Sequence, residues 1–396
     1  MNIFNSLGSN YTLTEALKFT LDLSRRSARL QAAGILKNRY GRNPVFTYKG
    51  REALRLALTS MKLPPGSGVA ICGYTCIAVW QAITAAGMVP VFLDIDPGTL
   101  HFSAVTLKKA LKTRPAIRAV IVQNTLGFPA DIAPIADICR RNGLALIEDL
   151  AHSTGTLYPD GRNAGTVGDA VCLSFSQDKL IDCVSGGAVI FRRTERKATE
   201  RFGSVGRIQQ MKDCLYPLLT FIIRSAYPYG GKVFHALVKK SGLLTTPIGS
   251  EKSLSTRNLP DWYIPRLVRE LTNLNADLIR RQSIARVYAR NLPEVMILPA
   301  LVIDIPRSAC LRFPVLVKNR DRLLRVMKRQ GVHLGDIWYD APVAPRKFLS
   351  RTTYRGECPN AEKVADMMVN LPTHRGVNTE TAREICERIN RWHGSA

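Results

Sequence analysis

Between residues 46 and 191 short β-branched runs alternate with helical patterns, and this alternation restricts the fold more than anything else in the chain. "VAIC" from Val69, "VPVFLD" from Val89, "AVIVQ" from Ala119, "LALIED" from Leu144, "AVCLSF" from Ala170 and "GAVIF" from Gly187 read as buried strands. "REALRLALTS", "IAVWQAITAAG" and "DIAPIADICRRNG" lie between them, the last closing on Gly143 as a helix C-terminus. Strands separated by helices predict βαβ units and an α/β fold with a mostly parallel sheet. Residues from about 200 to 290 read as less regular, with a basic and aromatic insertion near 205–255, before a helical stretch resumes at "DWYIPRLVREL". A strand "LRFPVLV", a helix "RDRLLRVMKRQ", a Pro-rich loop through "APVAPRKF" and a helix "NTETAREICERINRW" then predict a smaller α/β unit. The expected division is an N-terminal helical arm (1–45), a large domain (46–285) and a small C-terminal domain (286–396).

Charge narrows the partners. The chain carries 56 Lys and Arg against 31 Asp and Glu, a net charge of +25, so its surface attracts anions. The bases are scattered and no common nucleic-acid motif occurs, which disfavours nucleic acid. The nine cysteines form no CxxC pair and several sit inside apolar runs, so they read as reduced thiols and no metal site is expected. No signal-peptide pattern is apparent, and no run reaches the roughly 20 apolar residues of a spanning helix, so the expected location is the cytoplasm. One segment qualifies that. "CLYPLLTFIIRSAYPYGGKVFHALVKKSGLL" mixes aliphatic, aromatic and basic residues as interfacial membrane segments do, although a buried helix or a dimer interface has the same composition. Residues 214–245 are therefore the place to look for peripheral contact with an anionic membrane.

In parallel sheets ligands lie beyond the carboxyl ends of the strands. "LALIED" delivers Glu148 and Asp149 to that edge, and "VCLSFSQDK" delivers Ser174, Ser176, Gln177, Asp178 and Lys179 beside them. An acid and a lysine on adjacent strand ends form either a structural ion pair or the core of a pyridoxal phosphate site, where the lysine amine joins the cofactor aldehyde and the carboxylate keeps the pyridine nitrogen protonated.

The series "VFLDID", "LIEDLAHSTGT", "SFSQDK" and "SGGA", in this order over residues 46–191, resembles the DegT/DnrJ/StrS sugar aminotransferases, with weaker similarity through "RNLPDWYIPRL" to "ECPNAEKVADMMVNLPTHRGV". That resemblance implies a fold type I pyridoxal phosphate-dependent transferase with a seven-stranded-type sheet in its large domain. It implies Lys179 as the Schiff-base lysine and proton carrier, Asp149 on the pyridine nitrogen, His152 beside the cofactor and Ser174 on its phosphate. It places the phosphate turn at "KGREAL", through Gly50, Arg51 and Glu52, and sends Asn258 of "NLPD" into the phosphate site of a partner subunit, which implies a homodimer with shared active sites.

Three positions depart from the family pattern: Arg51 stands where Ser or Thr is usual, Cys76 where an aromatic ring stacks on the cofactor, and Ser185 where an acid precedes the glycine pair. Tyr74 and Trp80 are the aromatic residues at hand to substitute for the missing ring, although both read as core residues. The resemblance implies an aminotransferase moving an amino group, with glutamate as the expected donor, to a phosphorylated, nucleotide-linked keto-sugar for surface polysaccharide or natural-product biosynthesis. Two alternatives stand beside it: a membrane-associated aminotransferase on a lipid-linked acceptor, and a non-catalytic binding or regulatory descendant.

Overall fold

The computed structural model describes residues 2–21, 26–193, 200–246, 254–335 and 338–395. Parts of the expected arm (22–25) and insertion (247–253) lie outside the described residues. The strands are β1 (Ile3–Phe4), β2 (Val45–Thr47), β3 (Gly68–Cys72), β4 (Thr75–Cys76), β5 (Val89–Leu93), β6 (Ile117–Gln123), β7 (Ala145–Asp149), β8 (Ala170–Ser174) and β9 (Gly187–Phe191). They are followed by β10 (Arg312–Leu316), β11 (Val332–His333), β12 (Val343–Ala344) and β13 (Met368–Pro372).

A seven-stranded sheet has the order β2-β9-β8-β7-β6-β3-β5. Neighbours from β8 to β5 run parallel, and β9 is antiparallel to both β8 and β2. The six strands expected from sequence are all present, and β2 joins them as an edge. Strands β3, β7, β8 and β9 are buried along their whole length, which is why they read as continuous apolar runs instead of alternating ones.

The helices up to residue 240 are α1 (Leu13–Leu21), α2 (Arg26–Tyr40), α3 (Gly50–Ser60), α4 (Ile77–Ala85), α5 (Ala104–Thr113), α6 (Ile132–Arg141), α7 (Arg207–Ser225) and α8 (Gly231–Lys240). The region expected to be irregular after residue 200 is thus largely helical. Pro217 lies inside α7 and two prolines, a glycine pair and several β-branched residues surround α8, so local propensity under-reads both helices.

Three contacts tie distant parts of the chain together. Strand β1 pairs in parallel with β11, so the arm begins as a strand on the C-terminal unit. Strand β4 pairs in parallel with β12. Asp94 of "VFLDID" accepts the backbone N–H groups of Asn360 and Ala361 at 3.1 Å each, capping the helix Pro359–Met367.

Candidate active site

The carboxyl ends of β7 and β8, the N-termini of α3 and α4, and the loop after β11 enclose a cavity of about 960 Å³ including its mouth. Asp149, His152, Ser174, Lys179, Gly50, Arg51 and Cys76 all line it. Two expected residues do not. Glu52 points into the protein, where its carboxylate takes both the side chain and the backbone N–H of Arg257. Asn258 is exposed and away from its own chain's cavity.

The adjacent acids of "LIED" separate because successive strand residues face opposite sides. Glu148 is fully buried and accepts from Tyr158 Oη and from the N–H groups of Gly165, Val167 and Gly168, pinning the loop ahead of β8. Asp149 opens into the cavity. Among the described residues its carboxylate receives one hydrogen bond, 3.0 Å from Ala151 N, and no cation lies within salt-bridge distance. Burial pushes its pKa up, with the Ala151 N–H and Lys179 acting in the opposite direction.

Lys179 sits on the loop joining β8 to β9. Its ammonium lies 4.1 Å from the centre of the Trp338 ring, and burial lowers its pKa to about 8. The loop is held by Asp182, which accepts Tyr11 Oη, Asn10 Nδ2, Asp178 N and Val184 N, while Asp178 adopts a left-handed φ of 60° just ahead of the lysine. Removing this carboxylate takes the acceptor from the N–H groups of Asp178 and Val184 and leaves Asn10 and Tyr11 only their 3.2 Å bonds to the carbonyls of residues 179 and 182. Asp182→Ala should therefore lower stability by about 2–4 kcal/mol, measured by denaturant unfolding, and reduce activity by releasing Lys179.

An anion cradle forms at the start of α3. A Cβ on Gly50 would lie 2.6 Å from Ser174 Cβ, and a Cβ on Gly187 would lie 2.7 Å from Gly50 Cα, so only glycine allows this approach of helix to sheet. Lys49, whose Nζ donates to Ser185 Oγ at 2.9 Å, and Arg51, whose Nη1 donates to Gln81 Oε1 at 2.7 Å, bring two cations to the helix N-terminus. Ser185 thus anchors Lys49.

His152 is buried. Its Nδ1 meets Tyr339 Oη at 3.1 Å and Leu126 N at 3.4 Å, and its ring stacks on Trp338 at 5.2 Å and 10°. Burial, then the charges of Lys179 and Arg312, push its pKa well down, so the ring is neutral. With Nδ1 accepting, the ring proton is on Nε2. Tyr339 Oη is held in turn by Gln123 Nε2 at 3.0 Å.

Tyr74 and Trp80 do not replace the missing ring. Tyr74 is fully buried and donates to Tyr339 O, Trp80 bonds to Thr353 Oγ1, and neither lines the cavity. Trp338 supplies the aromatic face. Its loop reaches the cavity because β12 pairs with β4, which carries Cys76. The available signals were the aromatic doublet in "GDIWYDAP" and a lysine just ahead of the phosphate turn.

A sequence profile of the DegT/DnrJ/EryC1/StrS aminotransferase family matches residues 41–214 and 263–390. The chain belongs to this family. It is 26% identical over 357 residues to dTDP-4-dehydro-2,3,6-trideoxy-D-glucose 4-aminotransferase of Saccharopolyspora spinosa, covering 87% of this chain and 82% of that one. It is 24% identical over 344 residues to a protein of Geobacillus stearothermophilus named pleiotropic regulatory protein, covering 86% and 82%. Its fold superposes on Helicobacter pylori PseC, an aminotransferase involved in pseudoaminic acid biosynthesis, with a TM-score of 0.75 at 16% identity over all of both chains.

As a member of this aminotransferase family the chain is an enzyme, with pyridoxal 5′-phosphate as cofactor. The cavity fits that group. A buried carboxylate without a cation in salt-bridge distance awaits a protonated ring nitrogen, a glycine-lined helix start flanked by two cations awaits a dianion, and a lysine amine of lowered pKa lines the same cavity.

Proposed function

We propose that this enzyme transfers the amino group of an amino acid, glutamate, to the keto group of a nucleotide-linked sugar, as a cytoplasmic homodimer serving surface polysaccharide or natural-product biosynthesis. One observation carries the reading: Lys179 and the cation-free carboxylate of Asp149 meet in one cavity. The names of relatives support the acceptor, among them the Saccharopolyspora spinosa sugar aminotransferase and UDP-2-acetamido-2-deoxy-3-oxo-D-glucuronate aminotransferase of Pseudomonas aeruginosa. All nine cysteines are free, as a reducing compartment requires.

When bound, the cofactor supplies an aldehyde for a lysine amine and a ring that accepts electrons. Asp149 would hold the ring nitrogen protonated. Ser174, the Gly50 turn, Lys49 and Arg51 would hold the phosphate, and Asn258 would reach the phosphate site of the second subunit. His152 and Trp338 would both border the ring's site, their own rings stacking on each other at 5.2 Å and so leaving no room for a third ring between them. Lys179 Nζ is the group that takes up and returns protons. Residues 46–285 would then form the cofactor domain and residues 286–396 the small domain, which contributes Trp338 and Tyr339.

The decisive experiment supplies purified, cofactor-loaded protein with glutamate and measures 2-oxoglutarate, then adds UDP- and dTDP-linked keto-sugars and looks for the amino-sugar by mass spectrometry. Stoichiometric 2-oxoglutarate without sugar, and turnover with sugar, is the expected pair of results. No keto acid from any amino donor would place the chain with the regulatory descendants instead.

The lowered pKa of Lys179 gives a pH dependence. Only the neutral amine attacks an aldehyde, so loading of cofactor-stripped protein should rise about tenfold per pH unit below pH 8 and level off above it. An ordinary lysine would keep climbing to about pH 10.4. Stopped-flow absorbance after adding pyridoxal phosphate separates the two profiles.

A further inference from the structure

Helix α8 takes no part in the catalytic cavity, yet one side of it is unusually apolar for a surface. It packs through the buried Gly231 and Val238, and a Cβ on Gly231 would lie 2.5 Å from Ile223 O of α7. The other side is open. Val233 and Leu237, one turn apart, are 65% and 61% exposed, Phe234 beside them is 36% exposed, and Tyr229 just ahead of the helix is 91% exposed. Lys232, Lys239 and Lys240 are exposed along the same helix. Single exposed apolar residues are ordinary on a protein surface, whereas an aligned stripe bordered by lysines marks an interaction face.

Charge decides what that face meets. From Cys214 to Thr246 the sequence contains no Asp or Glu, but it contains Arg224, Lys232, Lys239 and Lys240. A symmetric contact between two copies lays a surface against itself, so α8 on α8 would bring lysines together with no acid to pair them. An anionic bilayer satisfies both parts of the pattern, because apolar side chains enter below the headgroups while the ammonium groups stay among the phosphates. Among the described residues no helix is long and apolar enough to cross a membrane, so contact would lie in the interface plane.

We propose that α8, with Tyr229 before it, docks this protein on the surface of an anionic phospholipid membrane. The inference does not rest on the reading of the active site, but it has a bearing on it. Lys239 of α8 lines a second cavity together with Arg325, Lys328 and His333, and that cavity shares Gln177 and Trp338 with the catalytic one. Gln177 Nε2 also donates to Thr245 O just beyond α8, at 2.9 Å. Docking through α8 therefore sets the membrane beside a largely basic cavity, with Asp178 also in its lining, that shares a wall with the cavity of Lys179.

The test is flotation of the full chain with phosphatidylcholine vesicles made with and without phosphatidylglycerol. The wild type should float only with the anionic vesicles, and less as salt shortens the Debye length. Two sets of variants separate this site from general attraction by a basic protein. Val233→Ser, Phe234→Ser and Leu237→Ser together change no charge and should weaken binding at least about tenfold. Lys232→Glu, Lys239→Glu and Lys240→Glu together should weaken it far more than the same change at Lys108, Lys109 and Lys112 of α5, each lysine of α8 being worth about fivefold in partition. All these positions are exposed, and unchanged thermal unfolding would verify that the variants fold. Failure of the wild type to bind, equal binding by the serine variant, or equal losses from the two lysine sets would each overturn the proposal. So would a fall in oligomeric mass of the serine variant by light scattering, which would assign the stripe to a second copy.

Discussion

Lys179→Ala should abolish transamination, with a loss of at least about 10⁴-fold in turnover, because it removes both the amine that anchors the cofactor and the group that carries protons. The variant should also lack the borohydride-reducible visible absorbance that the loaded wild type shows. Folding should survive the change. The amine is disfavoured in its charged form by burial, and its contact with the Trp338 ring is worth about 1 kcal/mol, so the thermal midpoint should move by only a few degrees. Residual turnover within tenfold of the wild type would remove Lys179 from the centre of the chemistry.

Asp149→Asn should produce opposite effects in the empty and loaded protein. In the empty protein the carboxylate is buried with one N–H donor and no cation, and its pKa is raised. A raised carboxyl pKa means that folding favours the protonated form, so the empty protein loses stability as pH climbs from the unfolded value through the folded one. Asparagine removes that cost, and the empty variant should unfold at a higher temperature than the wild type at neutral pH. In the loaded protein the same substitution deletes the partner of a cationic ring. Affinity for pyridoxal phosphate should fall by about 2–5 kcal/mol, roughly 30- to 5,000-fold, with turnover reduced as well because the ring is no longer held protonated. Calorimetry of both forms reads the crossing directly. Parallel shifts in the two forms would mean that Asp149 is only a packing residue.

The parts of the site that were legible in the sequence are those delivered by strand ends. Asp149 and Ser174 end their strands, His152 and Lys179 follow within three and five residues, and the parallel order of β6, β7 and β8 leaves their carboxyl ends side by side. Gly50, Arg51 and Cys76 lie at the starts of α3 and α4 and were legible only through the family resemblance. Glu52 was expected at the phosphate turn through the backbone N–H groups of the helix start; its side chain turns inward to Arg257. Trp338 and Tyr339 were not singled out. They arrive through the two-residue pairing of β12 with β4, and no periodicity in a Pro-rich loop announces so short a pairing across more than 260 residues.

The pairing of β1 with β11 gives the chain an order of completion. Ile3 lies beside Val332, and the same N-terminal segment supplies Asn10 and Tyr11, which grip Asp182 and so the loop of Lys179. During synthesis the first strand therefore waits for a partner made 329 residues later (332 − 3), roughly 15 to 65 s at the usual pace of elongation. Until then the central sheet can close but the grip on the lysine loop lacks its outer support. A nascent or truncated chain that lacks β11 would therefore carry the side chains of the lysine loop with only Asn10 and Tyr11, on an unanchored N-terminal segment, to hold them.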